Sequence, residues 1–327
     1  MKNLQPQGLW SNFYDLTQIP RPSGQKEEIS AFLANYGRSL GLETIVDEIG
    51  NVIIRKPASA GYEDHPGVIL QGHMDMVPQK NNDTVFDFAK DPIEAYIDGE
   101  WVTANGTTLG ADNGIGVAAA MAILADKNVV HPPLEVLVTV DEETGMYGAF
   151  ALEGGLLQGK TLLNLDSEAE GELYVGCAGG VDTTAKFAYT PVEVEEGDVA
   201  VKVSVTGCKG GHSGCDIHLQ RANANKLLFR FLKEAVANYE ARLASVEGGS
   251  LRNAIPREAS AIITVPAEGV DDIMDLVAEC EDLFIAEYDG VEDNIHLKAE
   301  EVACPATELP EDVQDFLIHA ITACPHG

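Results

Sequence analysis

The sequence predicts an α/β fold: a mixed, largely parallel sheet with helices on both faces, followed by a smaller two-layer α+β unit. Three observations point there. Short apolar, β-branched runs such as "GVILQG" (67–72) and "LEVLVTV" (134–140) read as strands buried on both faces. Up to about residue 190 such runs alternate with helical patterns, as parallel elements covered on both sides do. Beyond that point the order becomes strand, helix, strand, helix, strand, and the strands alternate in polarity, so their sheet can leave one face open. The boundary is expected at about Pro191, in "YTPVEVEEGD", giving domains 1–190 and 191–327.

Taken in order, "PSGQKEEISAFLANYGRSLGL" places Ile29, Phe32, Leu33, Tyr36 and Leu40 at helical spacing, with Ser23 as the expected N-cap and Gly41 closing the helix. "LETIVDE" and "NVIIRKP" form a strand pair joined at Ile49, Gly50 and Asn51, and "GVILQG" is the next strand. A polar loop leads to "IGVAAAMAILADK", a helix of small residues that can pack closely on a sheet. The 134–140 strand follows, then the "AFALEGGLL" segment, then "TLLNLD", expected to be another buried strand. In the second unit "DVAVKVSVTG", "EASAIITVP" and "NIHLKAEEV" read as strands. "NANKLLFRFLKEAVANY" and "VDDIMDLVAECEDLFIAEY" read as helices. "PEDVQDFLIHAITACPHG" gives Val313, Phe316, Leu317, Ala320 and Ile321 one apolar face and stops at Gly327, which raises the expectation of a truncated chain.

A chain of 327 residues can bury a sizeable core and suggests about two domains. Its 53 acidic and 21 basic residues give a formal charge of −32, which repels phosphate backbones and anionic membrane surfaces. Nucleic acid and membrane are therefore poor partners. "MKNLQPQGLWSNFYDL" lacks the apolar core of a signal peptide, and the longest apolar stretch, "IGVAAAMAILA", is too short to span a bilayer. Six scattered cysteines with no CxxC pair read as reduced thiols of a cytoplasmic protein and argue against a zinc–thiolate site.

Chemistry-bearing residues gather at strand exits. "GVILQG" runs into His73 and Asp75, the 134–140 strand into Glu142 and Glu143, and "TLLNL" into Asp166, with Ser167 and Glu168 behind it. Asp112 lies in "GTTLGADNGIG", ahead of the small-residue helix. Singly, each has an ordinary explanation: a hydrogen-bonded structural histidine, a helix cap or Asx turn, a solvated acidic turn. The carboxyl ends of strands in an open α/β sheet form one crevice, however, and carboxylates converging there repel one another unless a cation sits among them. Imidazole and carboxylate without thiolate suit zinc, or cobalt or manganese; calcium would use an all-oxygen loop. The acids are numerous enough for two ions. Asp75, two residues beyond His73 on an extended segment, can accept the other imidazole N–H. Asp112 could offer oxygens to two metals. Neighbouring glutamates on an extended chain point opposite ways, so one of Glu142 and Glu143 can ligate while the other takes a proton from attacking water.

At these residues a resemblance becomes visible. "GHMDMVPQKN", "TTLGADNGIGVA", "DEETGMYGA", "NLDSE", "GCAGGVD", "GGHSG" and "LRNAIPRE" together resemble the aminoacyl-histidine (Xaa-His) dipeptidases, within the di-zinc aminoacylase and carboxypeptidase-like peptidases. The resemblance implies a zinc-peptidase-like catalytic domain with a lid domain, acting in the cytoplasm as a homodimer. It implies hydrolysis of dipeptides with a free N-terminus, Xaa-His types included, using two divalent ions, zinc first and cobalt or manganese as alternatives. By the same resemblance His73 and Asp166 ligate one metal, Glu143 ligates the other, and Asp112 bridges them. Glu142 is then the general base and Asp75 orients His73, while His212 of "GGHSG" and Asn253 of "RNAIP" contact substrate. It further implies a longer chain in which the lid is an insertion and a last histidine ligand follows. Nothing after Asp166 fits that ligand: His319 sits on an amphipathic helix and His326 is one residue from the end. An incomplete catalytic half, weakly active or inactive by itself, is therefore expected. Two other readings stay open, an amidohydrolase of N-acyl amino acids and a non-catalytic metal-binding or interaction protein.

Overall fold

The computed structural model describes residues 1–167, 169, 171–172, 174–176 and 179–326. Glu168, Cys177 and part of "GCAGGVD" lie outside the described residues. The chain divides into two compact units, Met1–Cys177 and Ala178–Gly327, a division that falls ahead of Pro191.

The first unit runs α1 (Gln7–Thr17), α2 (Glu27–Ser39), β1 (Glu43–Val46), β2 (Val52–Lys56), β3 (Val68–His73), β4 (Ala95–Asp98) and β5 (Trp101–Ala104). It continues through α3 (Ala111–Ala125), β6 (Leu134–Thr139), α4 (Tyr147–Ala151) and β7 (Thr161–Asn164). Five strands form one sheet in the order β1-β2-β6-β3-β7. β1 and β2 pair antiparallel, as do β2 and β6, while β3 pairs parallel with both β6 and β7. The sheet is thus mixed, and its parallel half, β6-β3-β7, aims three carboxyl ends at one edge. That shared direction positions the site.

β6 is the middle strand and every residue from Leu134 to Thr139 is buried. Its one charged member, Glu135, is matched: Arg55 Nε donates to it at 3.1 Å and the Gln158 and Gly159 amides donate at 2.8 and 2.6 Å. One sheet face packs against helices through Phe13, Leu33, Val117, Met121 and Val136. The other is covered more thinly, with Ile53, Ile69 and Leu137 meeting Leu152, Leu156 and Leu157. Small residues let α3 approach closely: a Cβ at Gly116 would come within 2.9 Å of the Leu165 carbonyl oxygen.

Three features differ from the sequence expectations. β7 is not buried; it is an edge strand on which Leu162 and Leu163 are each 48% exposed. Ser23 does not cap α2, which starts at Glu27 after Lys26 with no side-chain cap, because the Ser23 hydroxyl donates to Asp75 instead. α1 and the β4–β5 hairpin were not anticipated, the hairpin because its strands are short and largely exposed.

The second unit holds β8 (Val192–Glu193), β9 (Asp198–Thr206), β10 (Gly211–His212), α5 (Ala224–Asn238), β11 (Arg242–Gly248), β12 (Ala254–Ile255) and β13 (Ala259–Pro266). It closes with α6 (Val270–Glu287), β14 (His296–Val302), β15 (Thr307–Glu308) and α7 (Glu311–Ala323). Its four-stranded sheet, β11-β13-β9-β14, is antiparallel throughout. Alternate residues Val201, Val203 and Val205 of β9 point into a core shared with Leu227, Phe231 and Phe284 of the helices. β11 adds a strand that sequence periodicity passed over. The described cysteines, Cys208, Cys215, Cys280, Cys304 and Cys324, are unpaired thiols.

Candidate metal centre

The end of β3 places His73 at 1% exposure, its ring fixed from both sides. Nδ1 lies 3.1 Å from the Asp75 backbone oxygen and 3.4 Å from Asp75 Oδ1, so the main-chain oxygen shares the orienting role expected of the carboxylate. Nε2 faces the acids: Asp112 Oδ1 at 2.9 Å, Asp166 Oδ1 at 3.5 Å and Glu142 Oε2 at 3.9 Å. Glu142 and Glu143 leave β6 in a turn rather than an extended chain, since Asp141 takes a left-handed φ of 51° and accepts the Gly24 amide at 2.6 Å. The turn is fastened to Asp75, whose Oδ1 accepts the Glu142 amide at 3.0 Å and whose Oδ2 accepts the Glu143 amide at 3.4 Å. Asp112 sits in a non-helical start of α3, and the Asn113 side chain beside it donates to the Leu165 carbonyl at 2.9 Å. That bond ties the start of α3 to the segment carrying Asp166.

The electrostatics describe a cluster short of positive charge. Burial, then Asp112, push Glu143 up to about 8, with His73 opposing. Burial also raises Glu142, again against His73 and with Asp166, Asp75 and Asp112 adding to the rise. Burial alone would lower the His73 imidazolium, but hydrogen bonds to Asp112, Asp166 and Asp75 overcome it and hold the group at about 12. Asp75 moves down: burial works against it, and His73, Ser23 and the Glu142 amide prevail. A cation added among these oxygens relieves the repulsion that raises the glutamates. The donors fit such an ion. Two groups, His73 with Asp112 and Glu143, and His73 with Glu142 and Asp166, each bring one ligand atom per residue to within 4.8 Å of the others. Imidazole plus carboxylate is a donor set for zinc or a neighbouring first-row ion.

Comparison with known proteins bears on what the cluster serves. Residues 203–292 match the peptidase dimerisation domain. Over all 327 residues the chain is 49% identical to the cytosol non-specific dipeptidase of Escherichia coli (strain K12), covering 67% of that protein. The chain belongs to the M20 dipeptidase family. The crystal structure of aminoacylhistidine dipeptidase from Vibrio alginolyticus, 48% identical, matches with a TM-score of 0.54 over 100% of this chain and 66% of that one. The chain therefore spans about two thirds of the length of these M20 dipeptidases.

His73, Asp75, Glu142, Glu143 and Asp166 from strand exits and Asp112 from the start of α3 are brought together in the first unit. His212 and Asn253 belong to the second unit, where they are neighbours: His212 pairs with Ala254 across β10 and β12, and the Asn253 carbonyl accepts the Ser213 amide at 2.8 Å. The His212 ring is held by its own turn, Nδ1 accepting the Gly214 and Cys215 amides at 3.0 and 3.1 Å. Two residues beside the site were not read as part of it: Arg21 drew no expectation, and Ser23 was expected to cap a helix. Ser23 Oγ donates to Asp75 Oδ2 at 2.7 Å, and Arg21, 2% exposed, lies against the same loop. The available signal was "IPRPSG", an arginine between two prolines in a strongly acidic chain. No helix among the described residues is long and apolar enough to cross a membrane.

Proposed function

We propose that this chain carries the catalytic centre of a metal-dependent dipeptidase acting on dipeptides with a free N-terminus, Xaa-His types included. The observation that carries the reading is the convergence of Asp112, Asp166 and Glu142 on His73 Nε2 at 2.9, 3.5 and 3.9 Å. His73, Asp112, Glu143 and Asp166 would hold two divalent ions, zinc first and cobalt or manganese as alternatives. When bound, such ions polarise a scissile carbonyl and ease deprotonation of water.

The remaining steps belong to side chains of this protein. Glu142 takes the proton of the attacking water and returns it to the leaving amine; burial raises its affinity for that proton. Asp75, held by Ser23 and two backbone amides, fixes the His73 ring so that Nε2 faces the other ligands. His212 and Asn253 are the proposed substrate-contacting residues of the second unit. The dimerisation-domain match supports a homodimer, and the reduced thiols and the cytosolic relative support a cytoplasmic setting.

The test compares an Xaa-His dipeptide with its N-acetylated form, before chelation and after return of zinc, cobalt or manganese. Cation-restored hydrolysis of the free dipeptide is expected. Preference for the acetylated form makes the protein an N-acyl amino acid amidohydrolase instead. Cation uptake with no hydrolysis of either, in protein of the full length of these relatives, makes it a binding protein.

A further inference from the structure

The Arg21 side chain is buried between two loops that carry candidate ligands. Its Nη1 donates to the Met74 and Asp75 carbonyls at 3.0 and 3.2 Å, and its Nη2 donates to the Gly110 carbonyl. One planar fork therefore joins the chain just after His73 to the residue two before Asp112. Glycine makes the room: a Cβ at Gly110 would come within 2.5 Å of Nη2, and one at Gly114 within 2.6 Å. The glycines on either side of Asp112 in "LGADNGIG" are matched to an arginine far away in sequence. The backbone of Arg21 is fixed as well, its carbonyl accepting the Met76 amide at 3.0 Å.

We propose that Arg21 is a positioning residue for the metal centre, setting the separation of the His73–Asp75 and Gly110–Asp112 loops so that His73 Nε2 and Asp112 Oδ1 meet. What the loops hold rests on the function proposed above; the fork itself does not. Burying a guanidinium is costly unless its charge is compensated; the two terminal nitrogens of Arg21 are bonded to the loop carbonyls, while its Nε has no partner among the described residues. Burial pulls Arg21 down to about 10, with Asp75, Asp112 and Glu143 opposing, so it stays charged at neutral pH. Lysine presents a point charge and cannot reproduce a fork that reaches carbonyls on two loops.

The test uses the whole chain, stripped of cations, as wild type, Arg21→Lys, Arg21→Met and Gly114→Ala. The last variant pushes on the guanidinium without altering Arg21, and stands in if Arg21→Met does not fold. Backbone hydrogen exchange is read first. Residues 73–76 and 109–113 should exchange faster together while 43–56 stay unchanged; unaltered exchange in both loops overturns the proposal. Calorimetric titration with Zn²⁺ follows, with affinity expected to fall about tenfold or more in the folded variants. Wild-type affinity in Arg21→Lys would overturn the positioning role, because charge alone would then suffice. If wild type itself takes up no zinc, the metal reading fails, and hydrogen exchange still decides the role of Arg21.

Discussion

Asp75 Oδ1 accepts the backbone N–H of Glu142 at 3.0 Å, fastening the loop after β3 to the loop after β6. The same carboxylate takes the Ser23 hydroxyl and lies 3.4 Å from His73 Nδ1, so one side chain orients a histidine and an acidic turn together. Asp75→Asn puts an amide N–H where acceptor oxygen is needed. Divalent-cation affinity should fall about 10- to 100-fold, as measured by competition with a chromophoric chelator. Unchanged affinity would remove Asp75 from the orienting role.

Glu142 and Glu143 are sequence neighbours with different surroundings, and their variants should separate. Glu142→Gln should lower kcat for a free dipeptide by about 10²- to 10⁴-fold while bound metal, counted by elemental analysis, survives. Glu143→Gln should lose metal. If Glu142→Gln turns over normally, the general base lies elsewhere.

Burial pushes the Cys208 thiol from 9.0 to about 12, with Glu292 adding and Arg257 opposing. The folded state therefore favours the protonated thiol. Its contribution is fully present below the unfolded value near 9.0 and is lost as pH rises toward about 12. Between about pH 8 and about pH 10.5 the urea midpoint of wild type should fall more steeply than that of Cys208→Ala. Parallel slopes would show that the thiol is not protected. In the folded chain a thiol reagent should label the exposed Cys215, Cys304 and Cys324 before Cys208.

Much of this was legible because it follows from local pattern. The continuous apolar run of β6 marks a central strand, and acids at the exits of β3, β6 and β7 converge because parallel strands share a direction. What was not legible depends on long-range partners. Ser23 has the composition of a helix cap, yet its hydroxyl is taken by Asp75, 52 positions away. The "TLLN" segment reads as a buried strand, and only its place at the sheet edge exposes Leu162 and Leu163. Glu142 and Glu143 were read as extended because the left-handed turn at Asp141 is stabilised by the distant Gly24 amide. The prolines flanking Arg21 set it apart, but its role was not legible, since its carbonyl partners lie on loops that only the fold brings near.

Glu135 tests how the central strand tolerates a charge. It is 5% exposed and accepts from Arg55 and from the Gln158 and Gly159 amides, while Arg55 also reaches Glu43 at 2.7 Å. Glu135→Leu removes the shared acceptor, leaving two amides without their partner and the half-enclosed guanidinium with less compensation. Gln158 is exposed and Gly159 half-buried, so water meets part of the lost bonding, and a loss of about 1–3 kcal/mol in the first unit is expected. Two units need not unfold in one transition, but both tryptophans, Trp10 and Trp101, lie in the first unit. Their fluorescence during urea unfolding reads that unit selectively. A loss below about 1 kcal/mol would mean that the strand's apolar packing absorbs the change and that the Glu135 network contributes little to stability.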